Sequence, residues 1–234
     1  MRALLLLCAA SCAAGHDILG IDWGSSSFKA AALKADEFSI VLNDATKRKT
    51  ASAIGFDGNE RNFGDAAAAL RGRLPLNVFV NYHQLLGHST GSKTAKRLRS
   101  SPLMPFGTSE APNGAQAVLT EDGNKYGPEE LMGMSLYFAG QMTTAYVKSN
   151  ISSCVVAVPP HFTSSARRAI VQAGEIAGVA VRTVVNDHAA LAVQYAKERK
   201  WPADTGKVGA PYRGACDYDL VCAAGSGSIR RCWC

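Results

Sequence analysis

An acid, a glycine and three serines stand close together near the N-terminus, and their chemistry suits a phosphate group. Asp22 follows an apolar run, Gly24 comes next but one, and serines occupy 25–27. A glycine lets the backbone approach a ligand, and successive N–H and O–H donors form an anion-binding concavity. Hard cations prefer carboxylate oxygen and retained water, so Asp22 can hold hydrated Mg²⁺ beside the phosphates. The alternative is an ordinary Gly/Ser turn with an incidental acid.

A second acid, Asp187, stands almost directly after another apolar run, 179–185. Acids at strand ends organise Mg²⁺ and attacking water in phosphate-transfer sites. Asp187 also precedes an alanine-rich segment, so its alternative is the N-cap of a helix. Neither of the sharper nucleotide signatures, G-x-x-x-x-G-K-[ST] and G-x-G-x-x-G, accompanies the first strand.

Strands must position Asp22. Apolar runs over 18–23 and 28–33 predict a β-hairpin with Gly24 and the serines at its tip. Further strands are predicted at 38–42, 51–56 and 115–119, with turns at Asp57-Gly58-Asn59 and Asp122-Gly123.

A strand–helix–strand–helix unit must position Asp187. The run 154–158 has no polar alternation, which is typical of a strand buried on both faces. A helix capped at 163 or 164 and stopped at Gly178 follows, then a buried strand at 179–185 and a helix at 189–200. This order indicates an α/β domain. The inner face predicted for the first helix is Ala166, Ala169, Ile170, Ala173, Ile176 and Ala177.

Helices are also predicted in the middle of the chain. Asp65 is placed to cap the alanine run 66–69, and 78–86 has helical apolar spacing that ends at Gly87. The stretch 88–113 is predicted to be irregular. Pro128 opens a helix with acids in its first turn. Its predicted core face is Leu131, Met134, Phe138, Met142 and Ala145.

Two motifs carry a family resemblance. Gly20-Ile21-Asp22-x-Gly24-Ser25-Ser26 resembles the first phosphate loop of the actin, sugar-kinase and heat-shock ATPase superfamily. The stretch from Val155-Val156-Ala157-Val158-Pro159-Pro160-His161-Phe162 to Gly178 is similar to the heat shock protein 70 family, and Asn186-Asp187-His188-Ala189-Ala190 falls where that family has its second acidic element. The resemblance covers about residues 17–199. Details shared with the large endoplasmic-reticulum branch are Trp23, Lys47–Thr50, Asn59–Ala67 and Leu85–Gly87.

The resemblance implies a fold and a site. The fold is α/β, the first lobe of an actin-like (ribonuclease H-like) ATPase, with a mixed sheet, flanking helices and no second lobe. Gly24, Ser25, Ser26 and Ser27 would contact the phosphates of ATP. Asp22 and Asp187 would be the catalytic acids and would hold Mg²⁺ through water. The implied activity is that of an ATP-binding chaperone, with unfolded client proteins and other lumenal chaperones as partners.

Three departures from the family pattern lower the expected activity. The family has Glu-Pro where this chain has Asp187-His188, which shortens the carboxylate's reach. Its transition-state lysine aligns near His83, which we interpret as a partly exposed helix residue, since a neutral histidine is no fixed positive charge. Only residues 217–220 and 225–228 resemble the family's second phosphate loop, and they do so weakly. We therefore expect a truncated product with weak ATP binding and little turnover, in which residues 201–234 are foreign to the fold.

The N-terminus predicts the compartment. A charged start, a short apolar run and small residues around 12–15 are typical of a secretory signal peptide, with mature protein beginning at Gly15 or His16. The apolar run is too short to span a bilayer. We expect a protein of the endoplasmic reticulum lumen, in which Asn150-Ile151-Ser152 is a glycosylation acceptor pattern.

The predicted organisation is a signal peptide at 1–14, one lobe at 15–200 and an unassigned tail at 201–234, where four of the seven cysteines lie. The net charge of +6 is dispersed in small clusters, so no nucleic-acid partner is expected. Two alternatives remain from other functional classes. One is a non-enzymatic module that binds chaperones or unfolded chains, and the other is a relative of the sugar kinases.

Overall fold

The computed structural model describes residues 18–34, 37–102, 104–111 and 114–198. Its strands are β1 (Ile18–Trp23), β2 (Ser27–Lys34), β3 (Glu37–Ile40), β4 (Thr50–Ala51), β5 (Ala53–Asp57), β6 (Glu60–Phe63), β7 (Val78–Val80), β8 (Gly107–Glu110), β9 (Gln116–Leu119), β10 (Lys125–Tyr126), β11 (Ser153–Val158) and β12 (Ala180–Asn186). Its helices are α1 (Gly64–Leu70), α2 (Lys93–Arg99), α3 (Pro128–Val147), α4 (Ser164–Ala177) and α5 (Asp187–Glu198), with a 3₁₀ helix at Tyr82–Leu85.

A mixed six-stranded sheet organises these elements in the order β12–β11–β1–β2–β3, with β4 also paired to β2. The pairs β1–β11 and β11–β12 are parallel, whereas β2 runs antiparallel to β1 and to β3. The carboxyl ends of parallel strands lie at one edge of a sheet. β1, β11 and β12 therefore end together. The predicted α/β class with a mixed sheet and flanking helices is confirmed.

One face of this sheet belongs to the main core. Leu19, Ile21 and Trp23 alternate along β1 and are buried, as expected when successive side chains point to opposite faces. α3 and α4 supply buried partners such as Leu131 and Ile170 to the same cluster. Burying each such side chain contributes about 1.5–3 kcal/mol relative to leaving it in water. The core thus holds β1 rigidly and fixes where its carboxyl end lies.

The opposite face of the sheet is open. Gly20 and Asp22 alternate with the buried residues of β1 and are half-buried and exposed, respectively. α5 lies on this side, since its Ala190 borders the same cleft as Gly20, Asp22 and Ala157. Asp22 on β1 and the first turn of α5 therefore lie on the same accessible side of the sheet.

The predicted helix over 78–86 is wrong. Val78, Phe79 and Val80 form β7, which pairs with β5, and the chain then turns through Asn81 in a left-handed conformation. Only the four residues Tyr82–Leu85 are helical, as a 3₁₀ turn. β-branched and aromatic side chains favour strands. Pairing with β5 therefore determines the structure of 78–80, although the apolar spacing of the segment also fits a helix.

Two further predictions in the middle of the chain need correction. The stretch 88–113 is not wholly irregular, because it contains α2, capped by the Ser92 hydroxyl, which accepts a hydrogen bond from the Ala95 amide (3.1 Å), and also β8. Asp65 does not cap α1. Its carboxylate instead accepts a hydrogen bond from the Ala51 amide (3.1 Å), which ties α1 to β4.

Three predictions of burial need correction: the buried face of α3 is wider than predicted, β11 and β12 are less buried, and the buried face of α4 differs at Ile176 and Gly174. α3 packs on α4 as well as on the sheet side, so it buries a wider arc that leaves Ala145 exposed and Met134, Phe138 and Met142 half-buried. β11 is buried on one face only, and β12, at the edge of the sheet, is largely exposed. Ile176 is 56% exposed, whereas Gly174 joins the buried face of α4.

The hairpin at Gly24, the strand at β11, the helix from Thr163 to Gly178 and the turns at 57–59 and 122–123 are confirmed. The predicted signal peptide (1–14) and tail (201–234) lie outside the described residues. Among the helices that the structure describes, none is long and apolar enough to cross a membrane.

Candidate functional site

The tip of the β1–β2 hairpin is the candidate phosphate loop. Trp23 and Phe28 form the last cross-strand pair, and their rings stack with centroids 4.8 Å apart. The loop between them runs from Gly24 to Ser27. A Cβ added at Gly24 would lie 2.6 Å from the Ser27 carbonyl oxygen, so only glycine fits this tight turn. The turn therefore requires glycine at position 24 whether or not a ligand binds there.

Ser52 fixes the orientation of the loop from below. Its hydroxyl donates a hydrogen bond to the Gly24 carbonyl oxygen (2.8 Å), and its amide donates to the Ser26 carbonyl oxygen (3.1 Å). Ser52 itself is buried between β4 and β5. Two carbonyl oxygens of the loop are thus engaged by protein, while the side chains of Ser25 and Ser26 remain exposed.

Asp22 has a cation directly beside it. The register of the hairpin pairs Asp22 with Lys29, and the Lys29 Nζ lies 2.6 Å from the Asp22 Oδ2. About half of each side chain is exposed, so solvent weakens this ion pair. The carboxylate nevertheless has a positive partner at the carboxyl end of β1.

An open cleft of about 510 Å³ lies next to this pair on the open side of the sheet. Three cationic side chains border it, namely Lys29, Arg48 and Lys49, with Asp22 as the acid among its lining residues. Most of the remaining wall is apolar. A cleft with this charge balance favours an anionic ligand over a free cation. The other lining residues are Gly20, Ile21, Ala30, Ala31, Ile40, Val155, Ala157, Val185 and Ala190.

Asp187 lies at the same edge of the sheet as Asp22. Asp22 pairs with Ala157 on β11, and Ala157 pairs with Val185 on β12, two residues before Asp187. Two strand spacings, about 10 Å, therefore separate the backbones of β1 and β12 at this level. Asp187 is not among the described residues that line the cleft; it stands at its β12 end.

The Asp187 carboxylate already makes local contacts. Asp187 is the first residue of α5, and its Oδ1 accepts a hydrogen bond from the His188 amide (2.6 Å). The His188 Nε2 lies 3.8 Å from the same oxygen. An acid at the start of a helix is stabilised by the amide dipoles there. These contacts suit a helix-terminal role and leave the second carboxylate oxygen for other ligands, so both interpretations of Asp187 stay open.

His83 differs from its prediction. It is 3% exposed, in the 3₁₀ helix, with its ring stacked 6.4 Å from that of Phe162. Burial, assisted by the nearby His161, lowers the pKa of His83 to about 4. The side chain is therefore neutral at physiological pH and supplies no fixed charge. The expectation of a partly exposed residue was wrong because the 3₁₀ turn places the ring against Phe162, in the connection between β11 and α4.

The described residues fit a phosphate group better than they fit a tightly bound metal. No group of three His, Cys, Asp or Glu side chains in the described ranges is placed to hold a metal ion. The side chains of Ser25 and Ser26 are exposed, and Lys29, Arg48 and Lys49 provide positive charge at the neighbouring cleft. Any Mg²⁺ at Asp22 must share this carboxylate with Lys29, which suits a hydrated ion that accompanies phosphates.

Lys29, Arg48 and Lys49 are the site residues that sequence reasoning missed. The signal for Lys29 was available, because a hairpin with its tip at 24–27 places position 29 opposite position 22. Arg48 and Lys49 approach through the connection between β3 and β4, and no local pattern predicts where such a connection folds.

Comparison with known proteins identifies the family of this chain. A model of the Hsp70 protein family matches residues 18–204. The chain is 29% identical over 214 residues to heat shock protein 70 homolog lhs1 of Schizosaccharomyces pombe, covering 90% of this chain and 24% of that protein. It is 31% identical over 185 residues to hypoxia up-regulated protein 1 of Danio rerio (78% and 19%), and 28% identical over 189 residues to that of Homo sapiens (80% and 19%). The chain spans about a quarter or less of the length of these relatives. The match includes both the Asp22 loop and Asp187, and the chain belongs to the Hsp70 family.

Proposed function

We propose that this protein is an ATP-binding chaperone component of the endoplasmic reticulum lumen, whose described part is one wall of a nucleotide cleft. The observation that carries the proposal is the position of Asp22, which lines the cleft together with Lys29, Arg48 and Lys49 and lies just before the Gly24–Ser27 loop. β12 ends at the same edge of the sheet. Membership of the Hsp70 family supports ATP as the nucleotide and unfolded proteins or other lumenal chaperones as partners.

Each site residue has a distinct role in this proposal. The amide and hydroxyl donors of Gly24 and Ser25–Ser27 bind the terminal phosphates, and Lys29 with Arg48 and Lys49 balances their charge. Asp22 and Asp187 hold the waters of a hydrated Mg²⁺ from two sides of the cleft. When bound, the ion neutralises phosphate charge and orients water. The protein's own contribution is to keep the donors and the two acids at fixed positions on the sheet edge.

Affinity and turnover are expected to be low for this chain. The cleft is open, so water screens the contacts between phosphate and the cationic side chains. His83 is neutral at physiological pH, and Asp187 is one methylene shorter than glutamate. Efficient phosphoryl transfer requires phosphate, metal and water to be positioned together.

The lumenal location rests on the N-terminal sequence and has an independent chemical marker. Asn150 is exposed just before β11, in the acceptor pattern Asn150-Ile151-Ser152. A glycan at this position would require passage through the secretory pathway. The measurement is the electrophoretic mobility of the protein from secretory cells before and after glycosidase treatment, with Asn150→Gln as the control.

The test of the proposed function is isothermal calorimetry of the purified chain with ATP, with and without Mg²⁺. We expect Mg²⁺-dependent binding weaker than micromolar and no steady phosphate release. If ATP binds saturably and Asp22→Asn does not change its affinity, the nucleotide binds somewhere other than this cleft. Complete absence of nucleotide binding would favour the second candidate.

The second candidate is a module that binds unfolded chains or another chaperone without turnover. The observation that favours it is the set of exposed apolar side chains on the open side of the sheet and on α5. Ile40 is 49% exposed, and Leu191 and Val193 are 68% and 69% exposed. Suppression of the aggregation of a denatured test protein, with no nucleotide present, would support this activity. The match to the Hsp70 family model leaves no support for a sugar kinase.

A further inference from the structure

A small cavity lies apart from the nucleotide cleft, between the 3₁₀ helix, α2 and the start of α4. Its volume is about 60 Å³, and it shares none of its described lining residues with the cleft. A volume of this size holds about two water molecules, which is the scale of one tetrahedral oxyanion and much less than a nucleotide. The residues that matter for its chemistry are His83, His88, Arg97, His161, Phe162 and Thr163.

The charge of this cavity is one-sided. Arg97 and three histidines line it, and no carboxylate does so among the described residues. Within the described ranges the Arg97 guanidinium has no hydrogen bond or ion pair, unlike that of Arg99, which donates to the Thr90 carbonyl oxygen (3.0 Å). The nearby Glu129 accepts a hydrogen bond from the Gly87 amide through its Oε1 (3.5 Å) and does not line the cavity.

The start of α4 adds oriented donors. The helix has 14 residues, and Thr163 caps it by accepting a hydrogen bond from the Ala166 amide (3.3 Å). Thr163 and Ala166 both line the cavity. Gly87, with φ +67°, lets the chain pass close to the start of α4, since a Cβ there would lie 2.5 Å from the Ala166 nitrogen. The positive end of the helix dipole is thereby placed at the cavity.

His83 is the independent sign that something belongs in this space. It lines the cavity, is 97% buried as a residue, and its Nδ1 is buried without a hydrogen-bond partner among the described residues. A buried polar atom left unpaired costs about 1–3 kcal/mol. A ligand that offers oxygen atoms here would give the imidazole ring the partner it lacks.

We propose that this cavity binds one small oxyanion, the size of inorganic phosphate, between Arg97, the Thr163 end of α4 and His83. Arg97 suits the outer oxygens, since a guanidinium binds oxyanions in a bidentate manner. The hydroxyl of Thr163 has its proton available because it accepts from Ala166. The proposal stands independently of the proposed ATP site.

The experiment titrates inorganic phosphate into the purified full chain at constant ionic strength, with chloride as the balancing anion, and records thermal unfolding and the imidazole NMR signals. We expect saturable stabilisation and a shifted His83 signal. Arg97→Gln should weaken phosphate binding about tenfold through the loss of a charge-assisted hydrogen bond. The matched control, Lys96→Gln, removes the same charge from the same helix but does not line the cavity, and should change binding less than twofold.

Two further arms identify the source of the anion and the site. ADP should bind without displacing the phosphate-dependent shift of His83, and Asp22→Asn should leave phosphate binding unchanged. The proposal is overturned if phosphate gives no saturable shift, if Lys96→Gln and Arg97→Gln weaken binding equally, or if ADP and Asp22→Asn abolish the effect. The last result would place the phosphate in the nucleotide cleft.

Discussion

Lys29 and Asp22 face each other across the hairpin, with the ammonium nitrogen 2.6 Å from a carboxylate oxygen. The pair lies at the carboxyl end of β1, and both of its residues line the cleft. The acid predicted to hold Mg²⁺ is therefore already partly neutralised by protein, and a metal that approaches it does so in competition with lysine. This relationship favours binding of metal together with phosphate over binding of metal alone.

Removal of this lysine should have little effect on stability. Lys29→Gln is expected to lower the free energy of unfolding by about 1 kcal/mol or less, because half-exposed ion pairs are screened by water. Urea denaturation measures the change. Lys47→Gln, which removes the weaker 3.4 Å pair with Asp65, is the matched control. A loss above about 2 kcal/mol would show that Lys29 has a structural role beyond the pair.

Gly24→Ala should distort the Gly24–Ser27 loop. The added methyl group would lie 2.6 Å from the Ser27 carbonyl oxygen, and such overpacking costs about 1–3 kcal/mol. Nucleotide binding should fall with it. Gly72→Ala is the control, because nothing lies within 4 Å of a Cβ there, and it should be nearly neutral. Equal unfolding midpoints for the two variants in a thermal melt would contradict the close approach.

The buried pair of Tyr82 and Ser135 should show coupling. Their hydroxyl groups are hydrogen-bonded to each other in the core, where burial raises the pKa of Tyr82. Tyr82→Phe should cost about 1–3 kcal/mol, because it leaves the Ser135 oxygen buried without that partner. The double variant with Ser135→Ala should lose less than the sum of the single changes. Strict additivity in urea denaturation would rule out the coupling.

Burial of His83 should make the protein sensitive to mild acid. Its pKa falls from an ordinary 6.5 to about 4 on folding, so between these values the unfolded chain binds more protons. Stability conferred by this residue's neutral state is therefore lost as the pH falls from about 6.5 towards 4, by up to about 3 kcal/mol.

The measurement for His83 is the free energy of unfolding at pH 7 and pH 5. His83→Gln should lose less stability over this interval than the unmodified protein, whereas His88→Gln, at a half-buried position, should follow the unmodified protein. Parallel pH profiles for all three proteins would refute an abnormally low pKa at His83.

Local sequence signals predicted the parts of the fold in which local and tertiary preferences agree. The hairpin at Gly24 and the helix from Thr163 to Gly178 have turn, cap and apolar patterns that all indicate the same element. The segment 78–86 failed because its apolar spacing fits a helix, while pairing with β5 selects a strand. The prediction that Asp65 caps a helix was wrong for a similar reason, because its carboxylate accepts a hydrogen bond from the distant Ala51 amide and not from the first turn of α1.

The candidate site was predictable only as far as chain neighbours determine it. Asp22 and the serines share one turn, and parallel pairing through β11 brings Asp187 to the same edge. Arg48 and Lys49 reach the cleft through an irregular connection, so their contribution required the tertiary structure. Burial of His83 was missed for the same reason, because Phe162 and His161, far along the chain, form its surroundings.

The parallel pairing of β1 with β11 also means that β1 is synthesised well before its partner strand. β11 begins about 130 residues after β1 ends. At a translation rate of roughly 5–20 residues per second, the β1–β2 hairpin exists for about 6 to 26 seconds before its neighbouring strand has been made. Throughout that interval one edge of β1 carries unpaired backbone groups, which are a template for pairing with other chains. Pairing of β11 with β1 covers this edge once residues 153–158 have been made.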